Sequence, residues 1–205
     1  MLGNFYIISM KEIFMKTPVI KAVFYAATVL CTAYLSHAQA QTFKLSSPEI
    51  KAGTMIDKKF EFNGFGCSGE NKSPALNWVG APKDTKSFAV TVYDPDAPTG
   101  SGWWHWSVIN IPANVTALKS DAGATGGANL PTGATQVRID YGVAAWGGTC
   151  PPAGDKAHRY IFTVHALKLE KLEIPADATA ALAGFMIHAN TLQKASFTAK
   201  YGRAH

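Results

Sequence analysis

The sequence predicts a mainly β protein (α+β): an antiparallel β-sandwich with one helix near its C-terminus. Apolar and polar residues alternate at 88–93, 104–109 and 159–167. A period of two indicates half-buried strands. Turn-rich stretches at 94–102 and 121–133 separate these segments, without regularly spaced crossover helices. That spacing favours antiparallel sheets over a parallel sheet.

Residues 1–40 have the composition of a secretory signal peptide. A basic start precedes an apolar run at 22–35, and the small-residue ending Ser36-His-Ala-Gln-Ala40 follows it. The run is shorter than the roughly 20 residues that a membrane span needs. We therefore expect cleavage after Ala40, a true start at Met10 or Met15 as an alternative to Met1, and a periplasmic or secreted protein whose mature form has no membrane span.

Residues 41–205 are predicted to form a single domain, because this length suffices for one hydrophobic core. The whole chain carries a formal charge of +5, but its Lys and Arg residues are scattered singly. Nucleic-acid binding requires clustered basic residues. We therefore expect no nucleic-acid partner.

Two cysteines, Cys67 and Cys150, remain after the expected cleavage. Both lie in Gly-rich stretches, and a secreted protein meets an oxidising compartment. A disulfide between them is favoured over the alternative of two free buried thiols. It would hold the Gly-rich loop around Cys150 in place.

The helix is predicted at about 178–194, where apolar residues recur with helical spacing. Asp177 is the predicted N-cap, since its carboxylate can accept a hydrogen bond from the first turn. Alternation at 197–201 predicts a last short strand. The predicted packing stripe of the helix consists of Leu182, Phe185, Met186, Ala189 and Leu192.

The first candidate site segment is Asp94-Pro95-Asp96-Ala97-Pro98, directly after the strand that ends at Tyr93. Each proline fixes its own φ and disfavours helix at the preceding residue. The result is a stiff turn that could hold a carboxylate against an imidazole. The alternative is an ordinary Asp-Pro turn in which the aspartate caps its own backbone.

Two histidines and a tyrosine are the other candidate polar groups. His105 is predicted to lie on the sheet face opposite Trp104 and Trp106, and a hydrogen-bonded structural histidine is the alternative. His158 and Tyr160 are two residues apart on one strand, so their side chains emerge on the same face. The loop before them contains glycines, which allow close backbone approach to a ligand, and prolines, which keep it open.

These residue types favour anion binding over catalysis. Acids in one turn do not flank a sugar as glycosidase acids do. A metal site of Asp94, His105 and His158 stays an alternative, although its spacing is not diagnostic. A Gly-x-Ser-x-Gly elbow is absent from the sequence, and Cys150 is expected in a disulfide. His, Tyr and backbone N–H groups, by contrast, suit phosphate oxygens.

The two site segments in this order resemble those of the phosphatidylethanolamine-binding protein family, also called Raf-kinase-inhibitor-like. The resemblance extends from about Phe43 to Tyr201 and is strongest to the bacterial YbhB/YbcL branch. It rests on four segments: Asp94-Pro-Asp-Ala-Pro98 leading to His105, Gly148-x-x-Pro151-Pro152 leading to His158-Arg-Tyr160, Phe65-Gly-Cys67-Ser-Gly69-Glu-Asn71-x-Ser73-Pro74, and Gly184-Phe-Met-Ile-His-Ala-Asn-Thr-Leu-Gln-Lys-Ala-Ser196.

The resemblance implies an antiparallel β-sandwich with a C-terminal helix-containing unit and a small anion pocket. The implied ligand is a phosphate or a phosphorylated lipid head group, with no cofactor and no metal. The alternative function is a protein-interaction module, such as a protease or host-factor inhibitor, and an enzyme using His105 or His158 is a third. The implied pocket consists of Asp94, His105, His158 and Tyr160, with Gly148 and Pro152 at its rim and Asp96 and Pro98 shaping the adjacent turn.

Overall fold

The computed structural model describes residues 42–204, so the predicted signal peptide lies outside the described residues. A short 3-10 helix spans Lys58–Phe60, and one α-helix, α1, spans Ala180–Asn190 within the described range. The strands are β1 Lys44–Ser46, β2 Asn63–Gly64, β3 Cys67–Ser68, β4 Leu76–Val79, β5 Ser87–Asp94, β6 Trp103–Pro112, β7 Ala117–Leu118, β8 Thr135–Gln136, β9 His158–Leu167 and β10 Thr191–Tyr201.

The predicted antiparallel, mainly β fold is confirmed. A five-stranded sheet has the order β10-β9-β5-β6-β8, a three-stranded sheet has the order β1-β4-β7, and β2 pairs with β3. Every strand pair in these sheets is antiparallel. The three longest predicted alternations correspond to β5, β6 and β9, the adjacent inner strands of the large sheet.

The main hydrophobic core joins side chains of the large and the small sheet. Along β9, Tyr160, Phe162 and Val164 are buried in this core, as their alternation predicts. Trp78 of the small sheet packs edge-on against Phe88 of β5, with ring centroids 5.4 Å apart. A second, smaller core lies between the other face of the large sheet and α1. Both faces of β5, β6 and β9 are therefore covered.

Strand β6 carries two β-bulges, which overturn one prediction about its faces. Val92 pairs with Trp106 and Tyr93 pairs with Trp104, so His105 is an extra residue in the ladder. An extra residue shifts the alternation of side chains by one position. Trp106 consequently lies in the main core, whereas Trp104 packs near Gly184 of α1. The prediction that both tryptophans share a face opposite His105 is therefore wrong.

The helix is shorter than predicted and uses another face. It ends at Asn190, because residues 191–201 pair along β9 as the long strand β10. Its N-cap is Thr179, whose hydroxyl accepts from the Leu182 N–H at 3.2 Å, rather than Asp177. Of the predicted stripe, Leu182 is 41% exposed and Phe185 is 70% exposed. The buried helix residues are Ala180, Ala183 and Ile187.

Candidate functional site

A cavity of about 190 Å³ opens where β5 ends, β6 begins and β9 begins. These strands are adjacent and antiparallel, so the three strand ends meet at one edge of the sheet. Six of the predicted site residues line it: Asp94, Pro98, His105, Pro152, His158 and Tyr160. The lining also contains Phe65, Ala97, Thr99, Trp103, Tyr141, Cys150 and Pro151.

Asp94 and His158 form a buried pair at the base of the cavity. The His158 Nδ1 lies 2.8 Å from Asp94 Oδ2, and the two residues are 4% and 2% exposed. The other carboxylate oxygen, Oδ1, accepts the Asp96 backbone N–H at 2.8 Å. The second His158 nitrogen, Nε2, is 3.6 Å from Asp155 Oδ2. Asp94 thus fixes the imidazole and the turn at the same time.

Asp96 lies beside the cavity without lining it. Its Oδ2 accepts both the backbone N–H and the Nε–H of Arg159 at 2.8 Å, and its Oδ1 accepts from Nη2 at 2.6 Å. Hydrogen bonds from Arg159 lower the pKa of Asp96 to about 2. The Asp-Pro turn is therefore tied to the start of β9. The role of Asp96 in shaping the cavity stays a prediction.

His105 reaches the cavity through the bulge in β6. Its Nδ1 lies 2.7 Å from the Gly147 carbonyl oxygen and 3.2 Å from that of Gly148. Carbonyl oxygens only accept, so Nδ1 carries the proton and a neutral ring leaves Nε2 as an acceptor. Burial lowers the pKa of His105, and the carbonyl bonds oppose this effect only in part. At neutral pH, His105 therefore offers a lone pair rather than a positive charge.

Tyr160 has a buried hydroxyl that forms no hydrogen bond to any described residue. The Cys150 backbone N–H approaches the phenol oxygen without reaching hydrogen-bond geometry. Burial, followed by the negative charge of Asp94, raises the pKa of Tyr160. The phenol therefore stays protonated and its O–H is free to donate. Within the same described range the buried indole N–H of Trp103 likewise approaches the Tyr141 hydroxyl without reaching hydrogen-bond geometry.

Gly148 lies behind the cavity wall rather than at its rim. A Cβ there would come within 2.3 Å of the Phe62 nitrogen and 2.4 Å of the Phe60 oxygen, so a larger residue does not fit. Its N–H donates to Asn71 Oδ1 at 2.8 Å, and its carbonyl accepts from the Tyr141 hydroxyl at 2.9 Å. Gly148 allows this close packing, while Pro152 lines the cavity.

The predicted disulfide between Cys67 and Cys150 is present, with Cα atoms 6.0 Å apart. It joins the β2–β3 hairpin to the loop before β9. Cys150 itself lines the cavity. The disulfide therefore fixes one wall of the cavity to a segment far away in the sequence.

Phe65, Trp103 and Tyr141 are the main lining residues that the sequence analysis missed. Tyr141 contacts both of the others, with ring centroids 5.8 Å from Phe65 and 5.4 Å from Trp103. Phe65 could have been identified as a candidate from the sequence, because it is an aromatic residue isolated between Gly64 and Gly66. For Tyr141, which lies outside the named strands, the sequence around it offers none.

The metal alternative does not match the arrangement of Asp94, His105 and His158. Asp94 is engaged with His158, and the His105 Nδ1 is bonded to carbonyls. Across residues 42–204, no group of three or more His, Cys, Asp or Glu side chains has a geometry suited to a metal ion. The same residues include no helix that is both long and apolar enough to span a membrane.

Comparison with known proteins decides the family. The model of the family described as phosphatidylethanolamine-binding protein matches residues 46–202. The chain belongs to this family. It is 55% identical over 175 residues to YbcL of Escherichia coli K12, covering 85% of this chain and 95% of YbcL. It is 46% identical over 158 residues to YbhB of the same organism, covering 77% and 99% of the two chains.

Solved structures agree with this assignment. The crystal structure of E. coli YbcL, described as a new member of the mammalian PEBP family, superposes with a TM-score of 0.77 at 56% identity, covering 78% of this chain and 98% of YbcL. The PEBP homolog CT736 of Chlamydia trachomatis gives a TM-score of 0.66 at 27% identity and covers 80% and 99%.

Proposed function

We propose that this protein binds a small phosphorylated anion, a phosphate or a phosphorylated head group, in the cavity at the ends of β5, β6 and β9. The buried, unpartnered hydroxyl of Tyr160 carries the proposal. A buried polar group without a hydrogen bond costs about 1–3 kcal/mol, and an anionic oxygen would remove that penalty. The Trp103 indole N–H offers a second donor.

His158 and His105 have different roles in this proposal. Asp94 orients the His158 ring toward the cavity, so this imidazole contacts the anion while the carboxylate does not. The lone pair on His105 Nε2 accepts an O–H or N–H group of the ligand, such as a singly protonated phosphate. With the Tyr160 O–H and the Trp103 N–H as donors and His105 Nε2 as an acceptor, the site suits a singly protonated phosphate or phosphomonoester better than the fully deprotonated form.

We further propose binding rather than catalysis. Cys150 is held in the disulfide, which removes the thiol nucleophile nearest the cavity. Asp94 is committed to His158 and to the Asp96 backbone, and the His105 proton is committed to carbonyls. The lone pair of His105 Nε2 could serve as a general base, but the lining of the cavity offers no free thiol and no uncommitted carboxylate beside it. These commitments are the reason for proposing a receptor site.

The proposed location is the periplasm or the exterior of the cell. The Cys67–Cys150 disulfide supports it, because structural disulfides persist in oxidising compartments. Residues 1–40 support it by their composition alone. Mass determination of the protein recovered from the periplasm tests this proposal, with an expected N-terminus at Gln41.

Calorimetric titration with phosphate, phosphoethanolamine and glycerophosphate tests the binding site. Tyr160→Phe removes the hydroxyl alone, so we expect affinity to fall about 10- to 100-fold, as for a lost hydrogen bond to a charged group. Folding stability should be unchanged or higher, because the unpartnered hydroxyl is gone. Asp94→Asn should also weaken binding. His188→Ala, a change at an exposed histidine on α1 that does not line the cavity, is the control and should bind as the unaltered protein does.

An unchanged affinity in Tyr160→Phe would contradict the assigned role of Tyr160. No heat and no thermal shift with any of the three anions would contradict anion binding itself. The alternative of a protein-interaction module would then take its place.

A further inference from the structure

The tip of the β2–β3 hairpin presents an aromatic side chain at the mouth of the cavity. Asn63 pairs with Ser68 and Gly64 pairs with Cys67, which leaves Phe65 and Gly66 as the turn. Phe65 lines the cavity, yet its side chain is 75% exposed. One part of the ring faces the cavity wall while the rest faces solvent.

The backbone of Phe65 is in an unfavourable conformation. Its φ is +53°, and that of Gly66 is +78°. Two-residue turns with positive φ at both positions favour Asn, Asp or Gly. A bulky side chain in this left-handed region is uncommon, and such outliers cluster at functional sites. The Phe65 ring takes no part in the main core, and its aromatic contacts are with Phe62 at 5.5 Å and Tyr141 at 5.8 Å between ring centroids.

The hairpin tip is held firmly against the loop before β9. The Cys67–Cys150 disulfide joins the two segments. Arg203 donates from Nη1 to the Gly66 carbonyl at 2.7 Å and from Nε to the Pro151 carbonyl at 2.8 Å. The Phe65 ring is stacked near Tyr141, with an interplanar angle of 14°. The position of this ring is thus fixed without a ligand.

We propose that Phe65 is a specificity-determining residue, which stacks on the non-phosphate part of the ligand and selects a phosphomonoester with one compact, flat, apolar group. This proposal rests on the proposed function, because it presumes a phosphate at Tyr160 and His158. It adds the chemical class of the group that is attached to the phosphate.

The composition and size of the cavity support this ligand class. Aromatic rings and prolines dominate the wall above the polar base: Phe65, Tyr141, Trp103, Pro98, Pro151 and Pro152. Its volume of about 190 Å³ is smaller than the roughly 300–1,000 Å³ of pockets that enclose drug-sized ligands. A compact phosphomonoester fits inside, whereas a two-chain phospholipid would leave its chains outside.

Titration with inorganic phosphate, glycerophosphate and phenyl phosphate tests the proposal. Stacking of two aromatic groups gives an expected preference of about tenfold for phenyl phosphate over inorganic phosphate in the unaltered protein. Phe65→Asn suits the left-handed turn and should abolish this preference while leaving the affinity for inorganic phosphate unchanged. Phe65→Tyr keeps a ring and should keep the preference. Phe185→Gln is the control for loss of an exposed aromatic ring far from the cavity lining.

The outcomes separate this proposal from the one it rests on. Phosphate binding without a preference for phenyl phosphate, or a preference that survives in Phe65→Asn, would overturn the role of Phe65 and leave the anion site standing. Failure of all three probes to bind the unaltered protein would overturn both. Loss of the preference in Phe65→Asn, with phosphate affinity and thermal unfolding retained, is the supporting result.

Discussion

Three histidines of the large sheet, two of them buried and the third half-buried, occupy three different electrostatic environments. His158 is paired with the carboxylate of Asp94, and His105 donates to backbone carbonyls. His165 lies on the helix side of β9, between the hydroxyls of Thr91 and Thr191 at 3.3 and 3.4 Å. Burial, with smaller contributions from Lys194 and His188, lowers the pKa of His165 to about 4. His165 is therefore neutral in the folded protein.

Acid should weaken the fold through His165. In the unfolded chain a histidine titrates near 6.5, so between pH 6.5 and 4 the unfolded state binds a proton that the folded state does not. Stability should therefore fall as pH drops through this window, by about 3 kcal/mol from this one group. Urea unfolding at pH 7 and pH 4 measures the loss.

His165→Gln provides the comparison for this pH effect. Glutamine can bond the same two hydroxyls but does not titrate, so the variant should lose less stability between pH 7 and 4. His105 and Glu49, whose pKa values are also lowered in the folded protein, contribute to the slope that remains. An identical slope in the variant and the unaltered protein would contradict the role assigned to His165.

The site residues that could be predicted from the sequence are those marked by a feature of the chain immediately around them. Asp94 and His158 are marked by a Pro-bounded turn and by position at a strand end, and the structure pairs them at 2.8 Å. Tyr141 and Trp103 reach the cavity only through tertiary packing, which local spacing does not encode. Gly148 was placed at the rim because glycine suits a ligand loop, whereas it meets the backbone of Phe60 and Phe62 instead.

At the scale of elements, the large apolar residues of the helix are misleading about which face packs against the sheet. Large apolar residues on α1 suggested the packing face, but small ones occupy the contact with the sheet: Ala180 and Ala183 are buried together with Ile187. Gly184 would bring a Cβ within 3.3 Å of the Trp104 ring. Close approach of a helix to a sheet bearing tryptophan requires small side chains, so steric fit decided the face.

Two substitutions on α1 distinguish its buried and exposed faces. Ile187→Ala should reduce the free energy of unfolding by about 2–4 kcal/mol, because it leaves a cavity under the helix. Leu182→Ala should change it by no more than about 0.5 kcal/mol, since Leu182 is exposed and both residues favour helix. Urea unfolding of the two variants is the measurement, and comparable losses would contradict the observed packing.

Strands were predicted more accurately than the helix. The same alternation of side chains that indicates a strand in the sequence also decides which of them lie in the main core. β5 and β9 begin and end within one residue of their predicted bounds. β10 was missed over most of its length, since residues 191–196 follow a helix without a glycine or proline to mark the change. Their strand conformation depends on pairing with β9, which is a tertiary interaction.

At the scale of the whole molecule, the disulfide couples the hairpin to the cavity wall. Cys67 and Cys150 are separated by 83 residues in the sequence. A cross-link of that length restricts the unfolded chain strongly in the chain-entropy model. The family assignment accounts for the sandwich, while this cross-link fixes loops at one of its ends.

Replacing both cysteines by serine should lower the free energy of unfolding by about 2–4 kcal/mol. Urea unfolding of the Cys67→Ser/Cys150→Ser variant measures the loss. The unaltered protein unfolded in the presence of dithiothreitol is the control, and it should show a similar loss. A variant as stable as the oxidised protein would contradict a structural role for the disulfide.

The two bulges of β6 have a consequence for how the chain tolerates insertions and deletions. Each adds one residue opposite β5, the first at His105 and the second between Val108 and Ile111. Together they restore the original alternation, so Ile111 again points into the main core. Removing His105 alone would leave Trp104 opposite Tyr93 and Trp106 opposite Val92, so both tryptophans would keep their faces. A single deletion at this bulge would therefore spare the core and remove an imidazole from the cavity, whereas a deletion within a regularly paired stretch of the strand would exchange buried and exposed side chains.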